Sequence, residues 1–310
     1  MRTVLVTGGN GFIGRYVVEE LLWRDYKVSI LDTRWRPTAN GATVVLGDIR
    51  DDVAVTEAAA HADGIIHLAG VLGTQETINN PRPAAATNVL GGLNVLEAAL
   101  QYKLPMVNIA VGNYWMNNTY SITKNTVERF AEMLNRYRSG RIATVRALNA
   151  YGPRQVPAAP YGPSKVRKIM PSFICRALAG EPIEVYGDGE QVMDMIYVAD
   201  VARVLVTALE STAAGGPLVS PIEGRATFEA GSGVPTTVND IARVVQAEVF
   251  HQTQFFAPIT HIPMRPGEDA NSVVLGNPDT VRILGVKPEE FVPLEEGVRR
   301  AVTHFIGERA

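Results

Sequence analysis

Residues 3–14 constrain this chain more than any other stretch: Thr-Val-Leu-Val-Thr-Gly-Gly-Asn-Gly-Phe-Ile-Gly. A β-branched apolar run ends at Thr7. Gly8, Gly11 and Gly14 then recur at three-residue spacing and lead into an amphipathic pattern. Glycines at such places let the chain turn tightly, let a phosphate approach backbone N–H groups, and let a helix pack closely on a strand. The helix start adds partial positive charge. A second apolar run ends at Asp32, 18 residues after Gly14, where a carboxylate suits the hydroxyls of an adenosine ribose. Strand, glycine turn, helix, strand and acid in that order predict a dinucleotide site, with Gly8, Gly11, Phe12, Ile13 and Gly14 around the phosphates. Asp32 would repel a 2′-phosphate, which favours NAD over NADP, although Arg34 and Arg36 stand close by.

The first 150 residues continue that alternation. Thr3–Thr7, Lys27–Leu31, Thr43–Leu46, Gly64–Leu68, Met106–Ile109 and Ala143–Ala147 read as strands. Gly11–Arg24, Val53–Ala60, Asn88–Tyr102 and Ser121–Arg138 read as helices between them. Mostly apolar strands separated by helices argue for a parallel sheet covered on both faces, hence an α/β fold. After Tyr151 the character changes, because Pro153, Pro157, Pro160 and Pro163 imply a long loop. Helices are expected near Pro171–Ala179 and Ala199–Ser211, the second returning to the main sheet. The predicted organisation is a dinucleotide-binding domain over 1–165 plus about 191–212. A smaller interleaved α+β substrate lobe would take about 166–190 and 213–310.

Composition excludes several classes. With net charge −3 and no Lys/Arg run longer than two, binding to nucleic acid through phosphate neutralisation is not expected. One cysteine, Cys175, allows neither an intrachain disulfide nor a thiolate metal cluster, and no metal is expected. No apolar run approaches the ~18–20 residues of a membrane span, and no signal-peptide pattern opens the chain. The expectation is a cytoplasmic protein with no membrane partner.

Tyr120 and Lys124 stand four apart at the start of a helical pattern, which places both side chains on one helix face. A phenol with an ordinary pKa of ~10 is a poor base at neutral pH. A nearby ammonium and a positively charged nicotinamide ring favour the phenolate, and bringing it to neutrality requires roughly 4 kcal/mol of differential stabilisation. Tyr120 could then take a proton from a substrate hydroxyl as hydride leaves the same carbon.

Together these residues make the chain resemble the extended short-chain dehydrogenase/reductases, in particular the nucleotide-sugar epimerase/dehydratase group typified by UDP-glucose 4-epimerase. The resemblance spans nearly the whole length. It rests on Thr7–Gly14, Gly47-Asp48-Ile49, His67-Leu68-Ala69-Gly70, the stretch Asn88 to Ala98, Tyr120–Lys124, Arg146 to Arg154, Tyr186 to Asp200 and Arg265-Pro266-Gly267. It implies a Rossmann-type doubly wound parallel sheet. It also implies that Asp48 and Ile49 lie by the adenine, and that Leu68, Ala69, Gly70 and Asn88 line the path of the dinucleotide. Thr74, Asn149, Arg154 and Arg265 would serve a nucleotide-diphosphate sugar, Arg265 by pairing with phosphate. The group often pairs the helices near 88–102 and 121–137 into a homodimer.

The chain departs from the group in two places. Ala110 and Val111 stand where a Ser/Thr pair normally polarises the sugar oxygen, and Tyr120 follows Val111 by only nine positions. Asn113 is the preferred replacement donor because its amide can donate; Tyr114 and Thr119 are the others. Residues 107–119 contain no acid, which demotes the 4,6-dehydratases and decarboxylases of the group, although Glu76 could approach from another loop. Met193 replaces an Arg that usually contacts the diphosphate, a loss that Arg154, Lys165, Arg167 or Lys168 could offset. The leading expectation is an NAD-dependent nucleotide-sugar 4-epimerase with Tyr120, Lys124 and Asn113 as its catalytic residues. A dehydratase or ketoreductase is second, and a non-catalytic dinucleotide-binding regulator third.

Overall fold

The computed structural model describes residues 1–38, 41–160, 168–220, 222 and 227–308. The expected substitutes Lys165 and Arg167, and Pro163, lie outside the described residues. The first half runs β1 (Thr3–Thr7), α1 (Phe12–Trp23), β2 (Lys27–Asp32), β3 (Ala42–Leu46), α2 (Asp52–Ala59), β4 (Gly64–His67) and α3 (Arg82–Ala85). A π-helical segment (Ala86–Gly91) leads into α4 (Gly92–Gln101), followed by β5 (Met106–Val111), α5 (Thr119–Arg138) and β6 (Ile142–Ala147). The second half runs β7 (Asn149–Tyr151), α6 (Ile169–Ala179), β8 (Ile183–Tyr186), β9 (Val192–Met193), β10 (Met195–Tyr197) and α7 (Val198–Ala213). It continues with β11 (Phe228–Ala230), β12 (Thr236–Thr237), α8 (Val238–Thr253), β13 (Ile259–Ile262), β14 (Val273–Val274), α9 (Asp279–Arg282) and α10 (Leu294–Gly307).

The main sheet has seven parallel strands in the order β11-β6-β5-β4-β1-β2-β3. This is the expected doubly wound α/β architecture, and strand order reverses between β1 and β4, where such sheets bind ligands. Pleating sorts the apolar strand residues by face. Val4, Val6, Ile66, Val107 and Val145 meet Val17 and Leu21 of α1 and Val201, Leu205 and Leu209 of α7. Leu5, Leu31, Ile65, Met106 and Ile142 point the other way, onto Val55, Val95, Leu96, Val127 and Leu134. A separate core joins α6, α8 and α10 with the β8/β13 pair.

One segment expected in the lobe belongs elsewhere. Phe228–Ala230 pairs with Val145–Ala147 as the seventh strand of the main sheet, and Val281, Leu284 and Phe291 pack into the core beneath it. The strand is short and has a charge at its centre, Glu229, so no apolar run announces it. Among the described residues no helix is long and apolar enough to cross a membrane.

Candidate active site

The glycine turn follows directly from β1. Gly8 adopts φ +73°, and a Cβ there would sit 2.7 Å from the Ala69 nitrogen, so a side chain is excluded both by conformation and by the neighbouring strand end. At Gly14 a Cβ would meet the Gly8 carbonyl oxygen, and the helix sits down on the turn. The Gly11 N–H donates to Gly8 O at 3.0 Å and the Arg15 N–H to Gly11 O at 3.2 Å. The N–H groups of Phe12, Ile13 and Gly14 therefore open the helix without intrahelical acceptors, as the geometry of a helix start requires. Asp32 is buried at the end of β2. Its Oδ2 accepts from the Asn10 N–H and its Oδ1 from the Arg34 N–H, both at 3.0 Å, which leaves carboxylate lone pairs for further donors. This cradle fits a dinucleotide: side-chain-free backbone, a helix start for phosphate and a fixed acid for ribose.

Asn10 is a residue the spacing argument passes over. It is buried, and its amide also donates to Arg34 O at 2.6 Å, so it staples the turn to the loop after β2. Asn88 does the same on the other side. Its Oδ1 accepts from the Val71 N–H at 2.7 Å, and its Nδ2 donates to Val71 O at 3.1 Å and Thr123 Oγ1 at 2.9 Å. It lies in the π-helical segment, a local widening that often marks functional sites. Leu68 and Ala69 are half-buried and Gly70 is exposed at the start of this loop. Asp48 is half-buried and paired with Arg50, whose side chain holds its carboxyl below the usual range. Ile49 packs into the core against α2 and α4.

Tyr120 and Lys124 occupy the first two turns of α5. Tyr120 is half-buried and Lys124 is 5 % exposed. Burial pushes the phenol up to about 12 and the amine down to about 8, against which Glu128 pulls the amine back up. The neighbouring ammonium thus does not by itself outweigh desolvation at Tyr120. Lys168, at the start of α6, places its Nζ 5.7 Å from the centre of the Tyr120 ring. Arg265 pairs with Glu268 and stacks on Tyr186 at 5.1 Å. Lys168 feels the charges of Arg265 and Glu76, and Arg265 feels that of Glu76, so residues from three distant loops converge beside Tyr120. Thr74 lies next to the Gly267 turn.

Other expected residues have partners of their own. The Arg154 guanidinium pairs with Glu19, Nη2 to Oε2 at 2.7 Å, and stacks on Tyr16 at 4.0 Å, which ties it to α1. Asn149 spends its amide on Asp194 O at 3.2 Å within the β7/β10 pair. Asn113 directs Nδ2 to Met116 Sδ at 3.4 Å. Ala110 and Val111 are buried at the end of β5. In the short loop that follows, Tyr114 lies beneath the Arg146 guanidinium, 3.6 Å from ring centre to Cζ.

Comparison with known proteins agrees with this geometry. Residues 4–219 match the model of the NAD-dependent epimerase/dehydratase family. The structure of a Thermus thermophilus UDP-glucose 4-epimerase in complex with NAD superposes with a TM-score of 0.81 at 27 % identity, covering 98 % of this chain and 99 % of that one. The Thermotoga maritima UDP-glucose 4-epimerase with UDP-glucose gives 0.83 at 27 % identity, over 99 % and 100 % of the two chains. A dTDP-glucose 4,6-dehydratase of Xanthomonas campestris is 30 % identical over 67 % of this chain and 68 % of its own. With a family model covering most of the chain, whole-length structural likeness and a matching cradle, the chain belongs to the NAD-dependent epimerase/dehydratase family.

Proposed function

We propose that this protein is a nucleotide-sugar 4-epimerase that uses NAD. The observation that carries the reading is the pair of half-buried Tyr120 and buried Lys124 on α5, beside a β5–α5 loop without any acid. The glycine turn and Asp32 would hold NAD, which would supply a reversible hydride acceptor for C4 of the sugar. Tyr120 takes the C4 hydroxyl proton and returns it after the keto sugar has turned over. Lys124 supplies the positive charge that a phenolate needs in a dry site. Lys168 and Arg265 would take the diphosphate, and Asn113 or Tyr114 of the β5–α5 loop would stand in for the usual hydroxyl. Two copies would associate through α4 and α5.

Incubation with a panel of nucleotide hexoses and hexuronates tests this. A C4-inverted product is expected from at least one, without net NADH formation. Tyr120→Phe should lower turnover at least about 100-fold, the scale of a lost general base. No inverted product from any member of the panel would overturn the reading. Glu76 motivates the alternative dehydratase or decarboxylase: its carboxylate lies against Gly73 and its charge reaches Lys168, which overlies Tyr120. Deuterium from solvent at C5 or C6 of the product would favour that chemistry.

A further inference from the structure

Tyr120, Lys124 and Glu128 are spaced by four residues and share one face of α5. The proposed reaction uses the first two and leaves the third unexplained. Glu128 is 7 % exposed and Arg146 of β6 is 8 % exposed. Arg146 donates to both carboxylate oxygens of Glu128, Nε to Oε2 at 3.1 Å and Nη2 to Oε1. Its Nη1 lies 3.5 Å from Oε1 of Glu229 on β11. Tyr114 closes the guanidinium from the loop side. With Lys124 charged, this buried set holds two cations and two anions. If Lys124 loses its proton, the set is left with a net negative charge, an arrangement that burial penalises heavily.

We propose that Glu128, gripped by Arg146, is a positioning residue that keeps Lys124 charged and so lets Tyr120 ionise. The two-point grip fixes the carboxylate, which cannot swing away from α5. Burial alone pushes the Lys124 amine towards neutrality, and Glu128 is the charge that opposes it. On β4, His67 also faces Lys124, but burial, followed by that ammonium, holds its imidazole neutral at ordinary pH. On the far side Glu128 borders a cavity of about 20 Å³ that Glu132, Thr144 and Thr227 also line, room for about one water. Glu128 touches no substrate in this scheme and acts only through Lys124.

The inference rests on Tyr120 as the base, so the test reads Tyr120 directly and needs no substrate. Phenolate absorbance of the NAD-loaded protein is titrated in parent and Tyr120→Phe, and the difference isolates Tyr120. The same pair is then measured with Glu128→Gln. Loss of the anion lets Lys124 shed its proton at lower pH, so Tyr120 should ionise about one pH unit higher, a tenfold change in its equilibrium. Glu128→Asp, which restores the charge, should recover most of that shift. A Tyr120 midpoint unmoved by Glu128→Gln would overturn the proposal. Should that variant fail to fold, Arg146→Lys keeps the buried charge but loses the two-point grip; it should move the midpoint the same way, and an unmoved midpoint there counts equally against the proposal. If the midpoint shifts while no sugar turns over, the positioning role stands and the epimerase reading falls.

Discussion

The imidazole of His67 ends β4 with Nδ1 2.7 Å from Thr7 Oγ1, inside the wall behind Lys124. Burial pushes its pKa down to about 3, with the Lys124 charge adding to the effect. An unfolded histidine titrates near ~6.5. Between those values the unfolded chain binds a proton that the folded chain refuses, so the contribution is fully present above about 6.5 and is lost as pH falls. The loss should approach about 1.4 kcal/mol per pH unit from this one group. His67→Gln, which keeps a partner for Thr7, should make the fall in Tm from about pH 6.5 to about 4.5 shallower. Calorimetric scans across that range check it, and an unchanged slope would remove His67 from the account. Tyr120 and Lys124 are legible in the sequence because their relation is local, four residues along one helix. Glu128 is equally local, but an acid at that place on a helix reads as solvated until Arg146 arrives from β6 and Glu229 from β11. Asn10 is hidden for the same reason, since its partner comes from another loop, whereas Lys168 is among the basic residues the sequence offers for the diphosphate.

At the scale of the element, α5 is aimed by its first turn. Asn118 is buried, and its Oδ1 accepts from the Ser121 N–H at 2.9 Å as a helix N-cap. Its Nδ2 reaches Gly267 O at 3.4 Å, and Thr119 Oγ1 donates to Thr77 O at 3.1 Å. The cap therefore joins the helix bearing Tyr120 to the turn bearing Arg265 and to the loop bearing Thr74 and Glu76. Asn118→Ala should lower stability by about 1 kcal/mol, the usual worth of such a cap. Turnover should fall by roughly tenfold or more, because a small displacement of a catalytic group costs more in rate than the cap costs in folding. Asn118→Asp keeps the acceptor and suits the helix dipole, so its Tm should stay near that of the parent. Denaturation curves read beside turnover separate the two effects; equal losses in both would mean that the cap does not aim Tyr120. Elements built on long apolar runs, such as β1, β4 and α1, are legible from pattern alone. The seventh strand is not, because three residues around Glu229 owe their strand character to β6. The π-helical segment reads as ordinary helix in the sequence, since its widening is bound up with the bonds Asn88 makes to Val71 and Thr123.

The whole molecule places the two faces of α5 under different demands. Inward, Lys124, Val127, Glu128, Ala131 and Leu134 are buried by this chain alone. Outward, Ile122, Met133 and Tyr137 are exposed, Tyr137 at 70 %, and Leu90 of the adjoining π-helical segment is 61 % exposed. Leu96 of α4 and Val127 and Leu134 of α5 belong to the core. The residues left over form a stripe too apolar to be indifferent to water, at about 25 cal/mol per Å² of apolar surface covered. A second copy meeting the first across α4 and α5 would cover that stripe twice, once for each protomer. Sedimentation equilibrium should therefore give twice the mass of the chain, and Met133→Glu combined with Tyr137→Glu should return it to one. Because assembly stabilises whatever it binds, the parent Tm should rise with protein concentration while that of the double variant should not. Tyr120 and Lys124 lie on the opposite face of the same helix, so the variant should still hold NAD; if it loses NAD and mass together, the two faces are not independent. A parent of single-chain mass at tens of micromolar would rule out the dimer, and the exposed stripe would then belong to the monomer surface.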